Sequence, residues 1–327
     1  MFSEAWALAR GGGLKLEYDP AIDSLAPAHD SIPMRTCRLV LVAISVFVGL
    51  ALRARAETFD VEIPHHRGDF YDKAAFELWL PESAPAVRGV AIVLDGINVD
   101  GRHFAGRAQW QAFARDHSLA LVACYFKSDD LSLRTYCEAD HGGGQALLSA
   151  LDVLGKASRH PELSTAPIMI MGFSAGGQFS YSFACFCPTR VIGFCSNKGG
   201  DYATPPTAAV REIPGLFIAG AKDTDRRAVI MKVFSENRSR GARWCMAIEP
   251  GRGHETANAN ALALPFFDAV LRSHDRPVAE RAGIVLDLDH RRLIPSGVPP
   301  KRTVTFWFPD EATLAAWNRF MTPANSP

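Results

Sequence analysis

Between residues 57 and 274, short apolar runs alternate with amphipathic segments of helix length, and this alternation limits the fold more than any other feature of the chain. The runs "TFDVEI", "AFELWL", "RGVAIVL", "LALVACYF", "APIMIMGF", "VIGFCSN", "GLFIAGA" and "RWCMAIEP" have the length and composition of strands. Helical patterns separate most of them: "FAGRAQWQAFARDH", "GGGQALLSALDVLGKASR", the stretch after Ser174, "RRAVIMKVFSENRSR" and "NANALALPFFDAVLRSH". A strand that returns to its sheet through a helix runs parallel to the one before, and such crossovers bury both faces of the sheet. The expected class is α/β, with a mostly parallel central sheet covered by helices on both faces. With 327 residues, 48% of them hydrophobic, the chain can bury one large core or two smaller ones.

In sheets of this kind, function gathers at the carboxyl ends of the strands. One strand ends in Gly172-Phe173-Ser174-Ala175-Gly176 and passes directly into a helix. This fits G-x-S-x-G, a tight turn that lifts a serine hydroxyl out of the sheet and needs small neighbours because backbone approaches closely. A serine needs a base to take its proton and a carboxylate to hold that base in the right tautomer. In the order serine, acid, histidine, "LFIAGAKDTD" offers Asp223 and "MAIEPGRGHE" offers His254, each just past a later strand. Asp223 could instead cap the following helix, with Asp225 as the acid. The amide of Ala175, and that of Ile97 in the loop after "RGVAIVL", are the candidate donors to an oxyanion. "HGGG" at residues 141–144 imitates an oxyanion motif but opens the helix before the nucleophile strand rather than following the earlier one, so it reads as a flexible helix entrance and a candidate border of the cleft. Asn98, and Lys198 with Tyr202 in the loop "SNKGGDY", are candidate substrate contacts.

Together "GFSAGG", "GAKD" and "GRGHE" resemble the α/β-hydrolase superfamily over residues 57–274. Within it, "GFSAGG" and "VLDGINVDGRHFA" are similar to secreted feruloyl esterases and polyhydroxyalkanoate depolymerases, although Asp95 stands where their pattern has histidine. The resemblance implies the α/β-hydrolase fold, Ser174 as nucleophile, Asp223 as acid, His254 as base, and backbone N–H groups of Ile97 and Ala175 as oxyanion donors. It implies a serine carboxylic ester hydrolase acting through an acyl-enzyme on a small or polymer-derived ester, without metal or organic cofactor. A serine peptidase of the same superfamily shares the triad, and a non-catalytic binding protein on this scaffold is the third reading.

The N-terminal region reads as an address. From Met34, Arg35 and Arg38 precede an apolar run from Leu39 to Leu52, followed by Ala54-Arg55-Ala56, the layout of a secretory signal peptide over residues 34–56. The run is shorter than the roughly 20 residues of a membrane span. Residues 1–33 then read as an upstream extension, with translation starting at Met34 and export to the periplasm or exterior after cleavage near Ala56. Export makes disulfides an expectation for the six remaining cysteines, Cys124, Cys137, Cys185, Cys187, Cys195 and Cys245, with free core cysteines as the alternative. Residues 275–327 add two strand-like runs and an amphipathic helix, an extension expected to pack on the core, or else to offer Trp307, Trp317 and Phe320 to a polymer. The 35 basic and 35 acidic residues balance, which leaves no electrostatic footprint for nucleic acid.

Overall fold

The computed structural model describes residues 56–322 apart from 83–84, 132–134, 277–280, 282, 288–291 and 295–304. The extension at 1–33 and the signal layout up to residue 55 lie outside the described residues. None of the described helices is long and apolar enough to cross a membrane.

The eight runs read as strands are the strands of one sheet: β1 (Glu57–Ile63), β2 (Lys73–Leu80), β3 (Gly89–Leu94), β4 (Leu119–Lys127), β5 (Ile168–Phe173), β6 (Val191–Asn197), β7 (Gly215–Gly220) and β8 (Trp244–Glu249). Their order is β1-β2-β4-β3-β5-β6-β7-β8. β1 and β2 pair antiparallel, as do β2 and β4, and every later pairing is parallel. Burial follows position. Every residue of β3 and of β7 is buried, because helices cover both faces of the central strands, while edge strand β1 keeps most of its residues at least partly exposed.

The helices are α1 (Ala108–Asp116), α2 (Gly144–Ser158), α3 (Ala175–Phe186), the short α4 (Ala208–Glu212), α5 (Thr224–Arg238), α6 (Asn260–His274) and α7 (Glu311–Met321). α1 and α6 lie side by side. Asn260 Nδ2 donates to Gln109 Oε1 at 3.1 Å, and His117 Nε2 lies 3.3 Å from Asp268. The segment "HGGG" forms a widened turn into α2, and the ring of His141 stacks on Phe70 at 4.5 Å, so this turn is packed on the first loop rather than along a cleft.

In the C-terminal extension, β9 (Ile284–Asp287), β10 (Arg292–Ile294) and β11 (Thr305–Phe308) form a small antiparallel sheet of order β10-β9-β11. Asp310 caps α7 by accepting from Thr313 N at 2.8 Å. Trp317 Nε1 donates to the Met246 carbonyl of β8 at 2.7 Å, and Phe306 packs edge-on against Phe234 of α5. Trp307 and Trp317 are buried, so neither presents its ring to a polymer surface.

All six described cysteines are free, the second of the two sequence expectations. Cys124, Cys195 and Cys245 sit inside strands of the core, and burial pushes the thiol of Cys137 up to about 11. A thiol with that value is about 10²-fold less ionised at pH 8 than an unperturbed one. Iodoacetamide at pH 8 is therefore expected to label Cys124, Cys137, Cys195 and Cys245 at least ~10²-fold faster in denaturant than in the folded protein. Peptide mass spectrometry checks this, and ready native labelling of Cys195 would contradict the packing.

Candidate active site

β5 ends at Phe173 and α3 begins at Ala175, so a single residue carries the chain through the turn. That residue, Ser174, has φ 53° and ψ −117°, a conformation that costs a side-chain-bearing residue about 1–3 kcal/mol. The surroundings enforce it. A Cβ on Gly172 would lie 2.2 Å from the Gly176 carbonyl carbon, and one on Gly176 would lie 2.5 Å from the Asp95 carbonyl oxygen. Gly176→Ala is expected to destabilise the fold by about 1–3 kcal/mol in denaturant titration, since backbone rather than a mobile side chain must move. A neutral result would mean the turn is looser than described.

Asp223 occupies the cap position of α5 but makes no side-chain cap bond. Its Oδ2 lies 2.8 Å from His254 Nδ1 instead, and His254 Nε2 lies 2.8 Å from Ser174 Oγ. The carboxylate accepts from Nδ1–H, which leaves Nε2 as acceptor for the serine hydroxyl. Asp223 is buried, whereas Asp225 is exposed in the first turn of α5, where its carboxylate accepts from Thr224 Oγ1. The structure thus brings Asp223, not Asp225, to the histidine. The ring of Phe173 lies against His254 with centroids 5.0 Å apart.

The loop after β3 approaches the same serine, since a Cβ on Gly96 would lie 3.7 Å from Ser174 Cβ. Asp95 fastens this loop: its Oδ1 accepts from Gly96 N at 2.7 Å and its carbonyl from Gly176 N at 3.2 Å. The Tyr136 hydroxyl donates to the Gly96 carbonyl at 3.3 Å. Among the described residues, the amides of Ile97 and Ala175 meet no acceptor, in contrast to their neighbours Gly96 and Gly176. Among the described residues, six that bear side chains have positive φ, and four of them, Asn98, Ser174, Lys198 and Ala257, lie in the loops around this serine and histidine. Backbone strain of this kind persists where the surrounding structure over-determines it, and it clusters at functional sites.

The side chains of the three candidate substrate contacts are bonded within the protein. The Asn98 amide is paired with the backbone of Ser128, donating to its carbonyl and accepting from its N–H, both at 2.8 Å. Lys198 is fully buried, with Nζ 2.7 Å from Glu249 Oε2 and 2.8 Å from the Glu255 carbonyl. The Tyr202 hydroxyl is 2.7 Å from Ser196 Oγ, and its ring packs edge-on against Tyr181 and Phe217. Each follows a strand end, as the sequence suggested, but its side chain turns inward to satisfy neighbouring backbone or charge.

A cleft of about 520 Å³ opens beside Phe173, between the ends of β3, β5 and β6 and the starts of α1 and α6. Its polar lining includes Asp95, His103, Arg107, Gln109, Asn197 and Asn260. Two residues bordering it, Trp110 and Asn197, carry a buried donor (Nε1) and a buried acceptor (Oδ1) that meet no partner among the described residues. Sequence reasoning missed this wall. The only available signal was that "GRHFAGRAQW" follows a strand end whose loop already carried a candidate residue. Away from the cleft, Glu138, Asp140 and His141 bring ligand-type atoms within 4.8 Å of one another at the entrance to α2.

No family model and no curated protein matches this sequence. Solved structures do match. A ferulic acid esterase aligns over 67% of this chain and 99% of its own at 12% identity, with a TM-score of 0.51. An S-formylglutathione hydrolase from Agrobacterium tumefaciens aligns over 66% and 95% at 12% identity and TM-score 0.50. The poly(3-hydroxybutyrate) depolymerase LpqC from Bordetella parapertussis aligns over 68% and 92% at 17% identity and TM-score 0.47. At such identities the likeness, carried by the two structures with TM-scores of 0.51 and 0.50, is one of fold alone. The chain has the α/β-hydrolase fold.

Proposed function

We propose that the protein is an exported serine hydrolase that cleaves carboxylic esters through an acyl-enzyme. The observation that carries this reading is the unbroken hydrogen-bonded line from Ser174 Oγ through His254 to the buried carboxylate of Asp223. His254 takes the proton of Ser174 as Oγ bonds to the ester carbonyl carbon, and the carbonyl oxygen becomes an oxyanion. The free amides of Ile97 and Ala175 receive that charge, a contribution typically of a few kcal/mol per donor. The intermediate collapses when the ester C–O bond breaks and His254 returns the proton to the departing alcohol. Water then repeats the cycle on the acyl-enzyme and releases the carboxylic acid. Asp223 keeps His254 in the required tautomer and stabilises the imidazolium formed in each half-reaction. None of these steps calls on a metal or organic cofactor.

Export rests on the signal layout at residues 34–56. The mixed lining of the cleft favours an ester whose acyl or alcohol arm carries hydrogen-bonding groups over a long plain alkyl chain. A panel of para-nitrophenyl acyl esters, a feruloyl ester and a peptide amide, offered to protein beginning at Glu57, tests both activity and preference. Ester turnover without amide turnover is expected. Absence of turnover on every ester by folded protein, or preference for the amide, would overturn the reading.

A further inference from the structure

The buried lysine that the proposed chemistry does not use sits where the serine turn and the histidine loop meet. Lys198 follows β6 with φ 55°, which turns its side chain into the protein, where it is wholly buried. Its Nζ bonds to Glu249 at the end of β8 and to the carbonyl of Glu255, the residue immediately after His254. The other oxygen of Glu249 accepts from Asn258 N at 2.9 Å. The loop from Pro250 to Asn258 is therefore held at its start, just beyond His254, and at its end by one ion pair.

The preceding residue ties in the nucleophile. The Asn197 carbonyl accepts from Ser174 N at 2.8 Å, and Asn197 Nδ2 donates to the Thr256 carbonyl at 3.3 Å. Two consecutive residues at the end of β6 thus touch both the serine turn and the histidine loop. A buried ion pair is weak ground for stability, because desolvating two charges offsets most of their attraction. The pair's geometric effect is more specific, since its spare hydrogen-bonding capacity goes to the backbone of the histidine loop.

From this arrangement we infer that Lys198, with Glu249, is a positioning residue that sets the register of His254 against Ser174. The inference rests on the proposed serine chemistry, but its structural half can be read without it. A misplacement of about 1 Å at a reacting group can cost ~10²-fold in rate. Lys198→Met is expected to lower kcat on the best ester by ~10²-fold and to change KM far less, because Lys198 itself does not line the cleft and only Thr256 and Ala257 of the loosened loop border it. Amide hydrogen exchange over residues 253–258 should rise in the same variant while the β5–α3 turn stays protected.

Because a lone buried carboxylate could unfold the protein, Lys198→Met/Glu249→Leu is made alongside. An apolar pair is expected to regain thermal stability, yet kcat should stay low and the loop should stay exposed to exchange, since Glu255 O and Asn258 N remain unclaimed. Recovery of kcat with stability in the double variant would overturn the inference, as would unchanged kcat or unchanged loop protection in folded Lys198→Met. If the wild-type protein turns over no ester, the serine-hydrolase reading fails on its own evidence and the positioning role falls with it. The exchange experiment then still reports whether the pair holds the loop.

Discussion

Ser174→Ala is expected to reduce ester turnover by ~10⁴- to 10⁶-fold while leaving the melting temperature within a few degrees of wild type. The loss is large because in the proposed chemistry Oγ forms the covalent bond, and no described hydroxyl other than that of Ser174 is bonded to His254. It is not complete, because oxyanion donors and substrate binding sustain some reaction without a nucleophile. Stability should change little. The serine side chain is partly exposed and makes no cap bond to α3, and the strain of its φ of 53° remains with alanine. Initial rates against a para-nitrophenyl ester, with circular dichroism to confirm folding, decide the matter. A variant retaining a tenth of wild-type turnover would remove Ser174 from the chemistry.

The second large effect separates two aspartates two residues apart. Asp223→Asn is expected to cost ~10⁴-fold in kcat, since an amide at that position permits the wrong imidazole tautomer and cannot stabilise the imidazolium. Asp225→Asn should lie within about twofold of wild type, because that carboxylate is exposed and makes no contact with His254. The rates of the two variants, measured together, test the assignment of the acid without depending on which ester is natural. Equal losses, or a larger loss at Asp225, would reverse it.

Much of this site could be read from sequence because its parts lie at strand ends. The apolar runs are long enough to mark β5, β7 and β8, and Ser174 follows the first of them directly while Asp223 and His254 lie in the loops just past the other two. The exchange of β3 and β4 in the sheet could not be read, since local pattern carries no information about which strand becomes whose neighbour. α4 and β10 escaped notice because five and three residues show no period. The partners of Asn98, Lys198 and Tyr202 were hidden from the sequence for one reason. Adjacency to a strand end fixes where a residue's backbone lies, but the direction of its side chain depends on partners distant in sequence. Lys198 answers to Glu249 and Glu255, Asn98 to Ser128, and Tyr202 to Tyr181 and Phe217. The cleft wall was hidden for the same reason, since Arg107, Asn197 and Asn260 meet only in the folded chain.

The most direct test of the account is covalent. Folded protein beginning at Glu57 is treated with an organophosphonate that traps activated serines, and the adduct is located by peptide mass spectrometry. One adduct per chain on the peptide carrying Ser174, formed far more slowly in His254→Ala, is the predicted result. No adduct at Ser174, or equal labelling with and without His254, would show that the hydrogen-bonded line from Ser174 to Asp223 does not activate the serine, and the account would fail at its centre.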